Sequence, residues 1–275
     1  MRVRLLSLLC AGGLVLLAAQ PAAAASPRFN PPKSFYLALG DSLAFGFQQF
    51  KFNANLPTED PSVFDTGYVD DFSSLLKTVD PALQTVNFGC PGETTSSYMS
   101  ACAYQSVFRL HDGYLASQME AALAFLHAHP GQVSPITIDL GANDVNACHF
   151  AVSCISAAIG VVAANMATIL RGLRAAAPNA EIIVMNYYNP YAVADASTNT
   201  LAEALNAALA ADAGLVRGRL ADTFSPFNLA SSEPATLCVL TLICTPLHDI
   251  HASDLGYTTI AEQFWTASGY NRLLD

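Results

Sequence analysis

Five short apolar runs, most of them halted by a glycine or a polar turn and interleaved with helical patterns, constrain this chain more than any other feature. The runs fall at 35–39, 85–88, 136–140, 182–186 and 215–220. Helical spacing covers 68–79, 115–129, 155–176, 201–213 and 254–267. Runs this short and this apolar suit strands buried on both faces. Their alternation with helices predicts an α/β domain over 26–275, with a central parallel sheet of about five strands covered on both sides. In such sheets, ligands gather outside the carboxyl ends of the strands. The residues that follow each run are therefore the candidates for chemistry.

The longest helical pattern needs a separate argument, because 145–170 carries no Asp, Glu, Lys or Arg. Its large apolar residues are Ile155, Ile159, Val162, Met166, Ile169 and Leu173. They form one stripe on a helix, with mostly small residues elsewhere. Asn165 and a preceding Cys-containing loop also disfavour a bilayer span, so the pattern reads as a helix lying on a sheet. A formal net charge of −10, with no Lys/Arg-rich run, argues against nucleic acid as a partner. Charged residues make up only 12% of the chain and hydrophobic ones 52%, which excludes a disordered chain.

The first 25 residues read as a secretory signal peptide. Arg2 and Arg4 open it, an apolar stretch over 5–19 follows, and it ends on the small residues 22–25. The stretch is too short to span a bilayer comfortably. Setting Cys10 aside leaves six cysteines, an even number that suits a secreted, extracellular protein. They form three local pairs, and short loops cost the least entropy to close. The expected disulfides are Cys90–Cys102, Cys148–Cys154 and Cys238–Cys244, with free buried thiols or a metal cluster as the alternatives. No CxxC pair supports zinc.

Four polar segments stand at the predicted strand ends or before the last helix. They are Gly40-Asp41-Ser42-Leu43, Asn87 to Gly92-Glu93-Thr94, Gly141-Ala142-Asn143-Asp144, and His248-Asp249-Ile250-His251. Each alone is ordinary turn chemistry, and Asp41 and Asp144 read as turn-holding side chains. Together they contain the parts of nucleophilic catalysis. A serine needs an adjacent base, and a neutral histidine is able to accept its proton. A tetrahedral intermediate needs fixed donors aimed at its oxyanion. A glycine lets the backbone come close to substrate. Residues 40–44 nearly form a Gly-x-Ser-x-Gly elbow, but Ala44 replaces the last glycine.

In this order the four segments resemble the blocks of the SGNH (GDSL) hydrolase family, the flavodoxin-like serine esterases and lipases. The resemblance runs from about Phe35 to the final helix. It implies a three-layer flavodoxin-like fold and assigns Ser42 as nucleophile and His251 as base. The oxyanion donors would be the Ser42 N–H, the Gly92 N–H (rather than that of Gly89) and the Asn143 side chain. The family usually has Asp three residues before the histidine and Pro after it, whereas this chain has His248 and Ala252. Either the loop reshapes so that Asp249 orients His251, or a backbone carbonyl near residue 248 does so.

The implied protein is a secreted, monomeric carboxylic ester hydrolase without metal or cofactor. It would act on a small-molecule or lipid ester and make no stable membrane span. A phospholipase, a carbohydrate deacylase, an acyltransferase, a metal phosphodiesterase using Asp41, Asn143 and His251, or a non-catalytic binding module are the competing readings. Phe45, Phe47, Phe50, Phe52 and Phe64 either line an acyl pocket or pack the long loop after Ser42. His127 and His129 suit a helix end, and His111 and His149 suit loops. Each expected disulfide lies close in sequence to a candidate site residue, so the three bonds are expected to fix site geometry.

Overall fold

A computed structural model describes residues 29–56, 60–229 and 232–274. The signal-like segment 1–25 lies outside the described residues. Strands β1 (Phe35–Gly40), β2 (Gln84–Asn87), β3 (Val133–Asp139), β4 (Ile182–Met185) and β5 (Arg219–Ala221) form one sheet in the order β2-β1-β3-β4-β5. Every pairing is parallel. All residues of β3 and β4 are buried, and so are all but the first of β1, as the apolar runs require.

Helices cover both faces. The helix Asp254–Ser268 packs on Tyr68–Val79, where the rings of Phe264 and Tyr68 stack at 4.8 Å. The helix Val152–Ala176 packs against Asn199–Leu215 and Gln118–Ala128. Val152–Ala176 is long and apolar enough to cross a membrane by length and composition. It nevertheless buries the expected stripe, with Ile155, Val162, Met166, Ile169 and Leu173 inside and Ile159 partly so. The architecture is thus α/β, a parallel sheet between two helical layers.

The fifth strand differs from expectation. Leu215 closes the helix Asn199–Leu215, and the strand begins only at Arg219 after a turn in which Arg217 has φ +53°. The apolar run over 215–220 therefore combines a helix end, a turn and a strand start, which periodicity cannot separate over so few residues.

The strand order reverses between β1 and β3, where successive connections leave the sheet in opposite directions. Such a switch point opens a crevice at the carboxyl ends of the two strands. Ser42 follows β1 and Asn143 follows β3, so both stand at this crevice.

Candidate active site

β1 ends at Gly40, which has φ +144°. A side chain there would lie 2.1 Å from Oδ1 of Asp139, so the sharp exit from the strand requires glycine. Asp41 accepts from the Leu43 N–H at 2.9 Å and caps the short helix Ser42–Phe45, which leaves Ser42 at the lip of the crevice. The Tyr187 hydroxyl donates to the other Asp41 oxygen at 2.9 Å, and the Tyr68 hydroxyl donates to Asp139 at 2.7 Å. Burial pushes both carboxyls up, and the nearby Asp41 charge pushes Asp139 well above the usual carboxylate range.

Nε2 of His251 lies 2.9 Å from the Ser42 hydroxyl, across 209 residues of sequence. Its Nδ1 lies 2.5 Å from Oδ1 of Asp249, the carboxylate two positions earlier. That oxygen also accepts the His251 backbone N–H at 3.1 Å, and Oδ2 accepts the Gln49 N–H at 2.8 Å. His248 has φ +46° and directs its own ring to the Ile243 carbonyl. This left-handed residue turns the chain so that the acid at 249 faces the imidazole. Burial would raise the Asp249 carboxyl, but hydrogen bonding and charge from His251, with the Gln49 N–H, outweigh it and hold the group below its ordinary value.

The His251 loop is fastened from several sides. Leu242 N–H donates to the His251 carbonyl at 2.9 Å, and Ser253 N–H donates to the Leu240 carbonyl at 3.0 Å. Both partners lie at or within the segment closed by Cys238–Cys244. The Tyr188 hydroxyl donates to the Ile250 carbonyl at 2.9 Å, and the Gln48 side chain donates to the Ala252 carbonyl at 3.0 Å.

Asn87 fastens the Gly92 loop to the serine turn. Its amide donates to the Ala44 carbonyl at 2.8 Å and its oxygen accepts from Gly89 at 2.9 Å. Gly92 has φ +75°, and a Cβ there would lie 2.4 Å from the Tyr104 ring. The Asn143 amide donates to the Glu93 carbonyl at 2.9 Å and to Asp41 at 3.3 Å, which holds it between the Gly92 loop and the serine turn. The carboxylate of Asp144 accepts from Thr95 at 2.9 and 2.7 Å and joins the same two segments from the β3 side.

The disulfides pair as expected, Cys90–Cys102, Cys148–Cys154 and Cys238–Cys244. Glu93 lies beside Cys90 and Cys102, but both sulfurs are spent in the disulfide, so this trio offers no metal-ligand set. His129 sits at a helix end, where its ring meets the Phe125 carbonyl at 3.0 Å.

The sequence model of the GDSL-like lipase/acylhydrolase family matches residues 38–258. The chain belongs to the GDSL-like lipase/acylhydrolase family. No curated protein matches the sequence. Among solved structures, a GDSL-like lipase candidate from Parabacteroides merdae is 17% identical, with a TM-score of 0.60 and coverage of 88% of this chain and 99% of that one. The acetylxylan esterase Axe2 from Geobacillus stearothermophilus is 17% identical, with a TM-score of 0.57 and coverage of 88% and 97%. At such identities the likeness is one of fold.

In this GDSL-like hydrolase, Ser42, Asn143 and His251 open onto one cleft. Val145, Phe150, Ile155, Tyr191, Leu201 and Ile250 supply much of its apolar lining. None of Phe45, Phe47, Phe50, Phe52 and Phe64 lines it. Phe45, Phe47 and Phe64 are instead buried in a separate cluster with Leu110 and the Cys90–Cys102 bond, so they pack the long loop. Phe47 keeps an edge contact with the His251 ring at 4.8 Å. The segment Tyr187–Tyr191, which sequence reasoning passed over, supplies one cleft wall. It directly follows β4, and the strand-end rule extended to the fourth run would have found it.

Proposed function

We propose that this chain is a serine esterase that cleaves carboxylic esters carrying an apolar acyl group, through an acyl-enzyme on Ser42. The observation that carries the reading is the unbroken contact from the Ser42 hydroxyl to His251 and on to Asp249. His251 accepts the serine proton as the oxygen attacks the ester carbon, and Asp249 stabilises the resulting imidazolium. The oxyanion develops toward the Ser42 and Gly92 N–H groups and the Asn143 amide, whose longer 3.3 Å bond to Asp41 gives way to it while the bond to the Glu93 carbonyl stays. His251 returns the proton to the departing alcohol as the C–O bond breaks. A water then gives a proton to His251 and attacks the acyl carbon; the acid leaves and Ser42 regains its hydrogen.

The substrate class follows from the cleft. Its surface is mostly aliphatic and aromatic, with Asn146, His149, Asn189 and Thr198 also on the lining, and the carboxylate among its lining residues, Asp41, is already held by Tyr187 and Leu43. Such a lining suits a hydrocarbon or aryl acyl group better than a glycan, which demands many polar partners. Three disulfides are compatible with an extracellular site of action and support export guided by residues 1–25.

A fluorophosphonate probe tests the reading. Peptide mapping should place the label on Ser42, and S42A should remove both label and turnover. A series of p-nitrophenyl esters, assayed beside a phospholipid and an acetylated xylan, should favour the simple acyl esters. An unlabelled, inactive protein would make the chain a binding module, and a preference for either competitor would move the substrate class.

A further inference from the structure

Glu93 is fully buried beside Gly92, and its carboxyl bonds to Ser97 and Gln118 rather than to Ser42, Asn143 or His251. Its contacts nevertheless reach every segment that supplies an oxyanion donor. Its backbone carbonyl accepts the Asn143 amide at 2.9 Å. Its carboxyl meets the Ser97 hydroxyl on one oxygen and the Gln118 amide, at 3.1 Å, on the other. Gln118, also fully buried, clamps both polar groups of the Gly40 backbone. It accepts from the Gly40 N–H at 2.7 Å and donates to the Gly40 carbonyl at 3.0 Å. Gly40 stands two residues before Ser42, and its carbonyl also accepts the Cys90 N–H at 3.0 Å, at the start of the Gly92 loop.

We infer that Glu93 is a positioning residue which, with Gln118 as relay, sets the spacing between the Ser42 hydroxyl and the donors at Gly92 and Asn143. The inference rests on the reading of Ser42 as nucleophile and deepens it. Three loops from the ends of β1, β2 and β3 meet at this brace, and a displacement of about 1 Å at a reacting centre costs on the order of 10²-fold in rate. An acid suits the position because burial pushes its carboxyl up to about 7. In its neutral form the hydroxyl can donate to Ser97, whose own hydrogen then turns to the Thr94 carbonyl at 3.3 Å, while the other oxygen still accepts from Gln118. A glutamine reproduces that pattern of one donor and one acceptor. An alanine strands a buried Gln118 hydrogen.

The test compares kcat and KM on p-nitrophenyl butyrate, with near-ultraviolet circular dichroism as the fold check, for the wild type, E93A, E93D, E93Q and Q118A. The inference expects E93A and Q118A each to lower kcat about 10²-fold with KM within about three-fold. The double variant should fall no further than either single one, because both cut the same brace. E93Q should recover kcat to within about three-fold of the wild type at mildly acidic pH. E93D keeps a buried acid but shortens it by one methylene, and it supplies the comparison if E93A fails to fold; its kcat should fall at least about ten-fold. An active wild type, labelled on Ser42, whose E93A or E93D variant folds and keeps kcat within about three-fold overturns the inference alone. So does an E93Q that falls as far as E93D. A wild type that takes no label and turns over no ester overturns the catalytic reading instead.

Discussion

Asp249 reaches His251 from only two positions upstream, its Oδ1 2.5 Å from the ring Nδ1, because His248 adopts a left-handed backbone with φ +46°. Residue 248, the family's usual place for the acid, turns its side chain to the Ile243 carbonyl instead. D249A should therefore lower kcat by about 10²–10⁴-fold with little change in KM. Adding H248D to that variant should not rescue it, since the new carboxylate would face away from the imidazole. Steady-state kinetics on the single and double variants check both statements, and a rescued double variant would show that the loop can revert to the three-residue spacing.

The Cys238–Cys244 bond closes the segment whose Leu240 and Leu242 backbones hold the chain on either side of Ala252. Replacing both cysteines by serine should lower kcat by about ten-fold or more at a temperature where circular dichroism still reports a folded chain. Removing Cys148–Cys154 should instead act on substrate preference, because that loop carries a cleft wall rather than the imidazole. Equal, small effects on kcat from both pairs would mean that the bonds serve stability alone.

Much of this was legible in the chain. Short apolar runs ending in turns fixed both the sheet and where to look, and Ser42, Gly92, Asn143 and His251 each fell in such a turn or just before the last helix. What stayed hidden depends on contacts distant in sequence or on one dihedral angle. Gln118 meets Gly40 across 78 residues, and no local pattern marks it. The left-handed turn at His248 decides which acid faces the imidazole, yet only a few per cent of non-glycine residues adopt a positive φ, so the sequence does not mark it. The phenylalanines after Ser42 suggested a pocket by proximity in sequence, but burial and ring contacts put Phe45, Phe47, Phe52 and Phe64 in a packing cluster, and Phe50 is exposed.

Stability should rise as the solution is acidified from neutral. Burial pushes Glu93 up to about 7, and it pushes Asp70 and Asp212 up to about 6, with the Asp65 charge adding to the effect at Asp70. The folded chain therefore binds these protons more tightly than the unfolded one. The stability so gained is full below the ordinary carboxylate range and is lost as pH rises through about 6 to 7. Asp249 and Asp222 act oppositely, being held low, but their contribution is lost only below the ordinary range. Tm measured from about pH 8 down to about pH 5 should climb, and E93Q should flatten part of that climb. A Tm that falls steadily over this interval would contradict the raised values.

Phe150 and Tyr191 should set the acyl-chain preference. They approach the cleft from different loops and meet edge-on, with ring centroids 5.0 Å apart. Phe150 and its neighbour His149 both have left-handed backbones, φ +64° and +47°, inside the loop closed by Cys148–Cys154. Such a conformation is uncommon for a bulky residue, and the disulfide together with the Tyr191 contact holds it against the cleft. An acyl chain lying along this wall gains about 0.8 kcal/mol for each methylene it buries, so losing a contact worth two of them changes kcat/KM by about ten-fold. F150A and Y191A should each lower the ratio of octanoyl to acetyl ester kcat/KM by about that factor. The rival location is the smaller hollow beside Phe45, Phe52, Phe64 and Phe108, which lies outside the Ser42 cleft. F52A should leave the ratio unchanged if the chain lies against Phe150, and lower it if the chain lies in that hollow. Because F150A and Y191A alter one wall of the Ser42 cleft and F52A alters the separate hollow, the variants that move the chain-length profile identify where the acyl group rests.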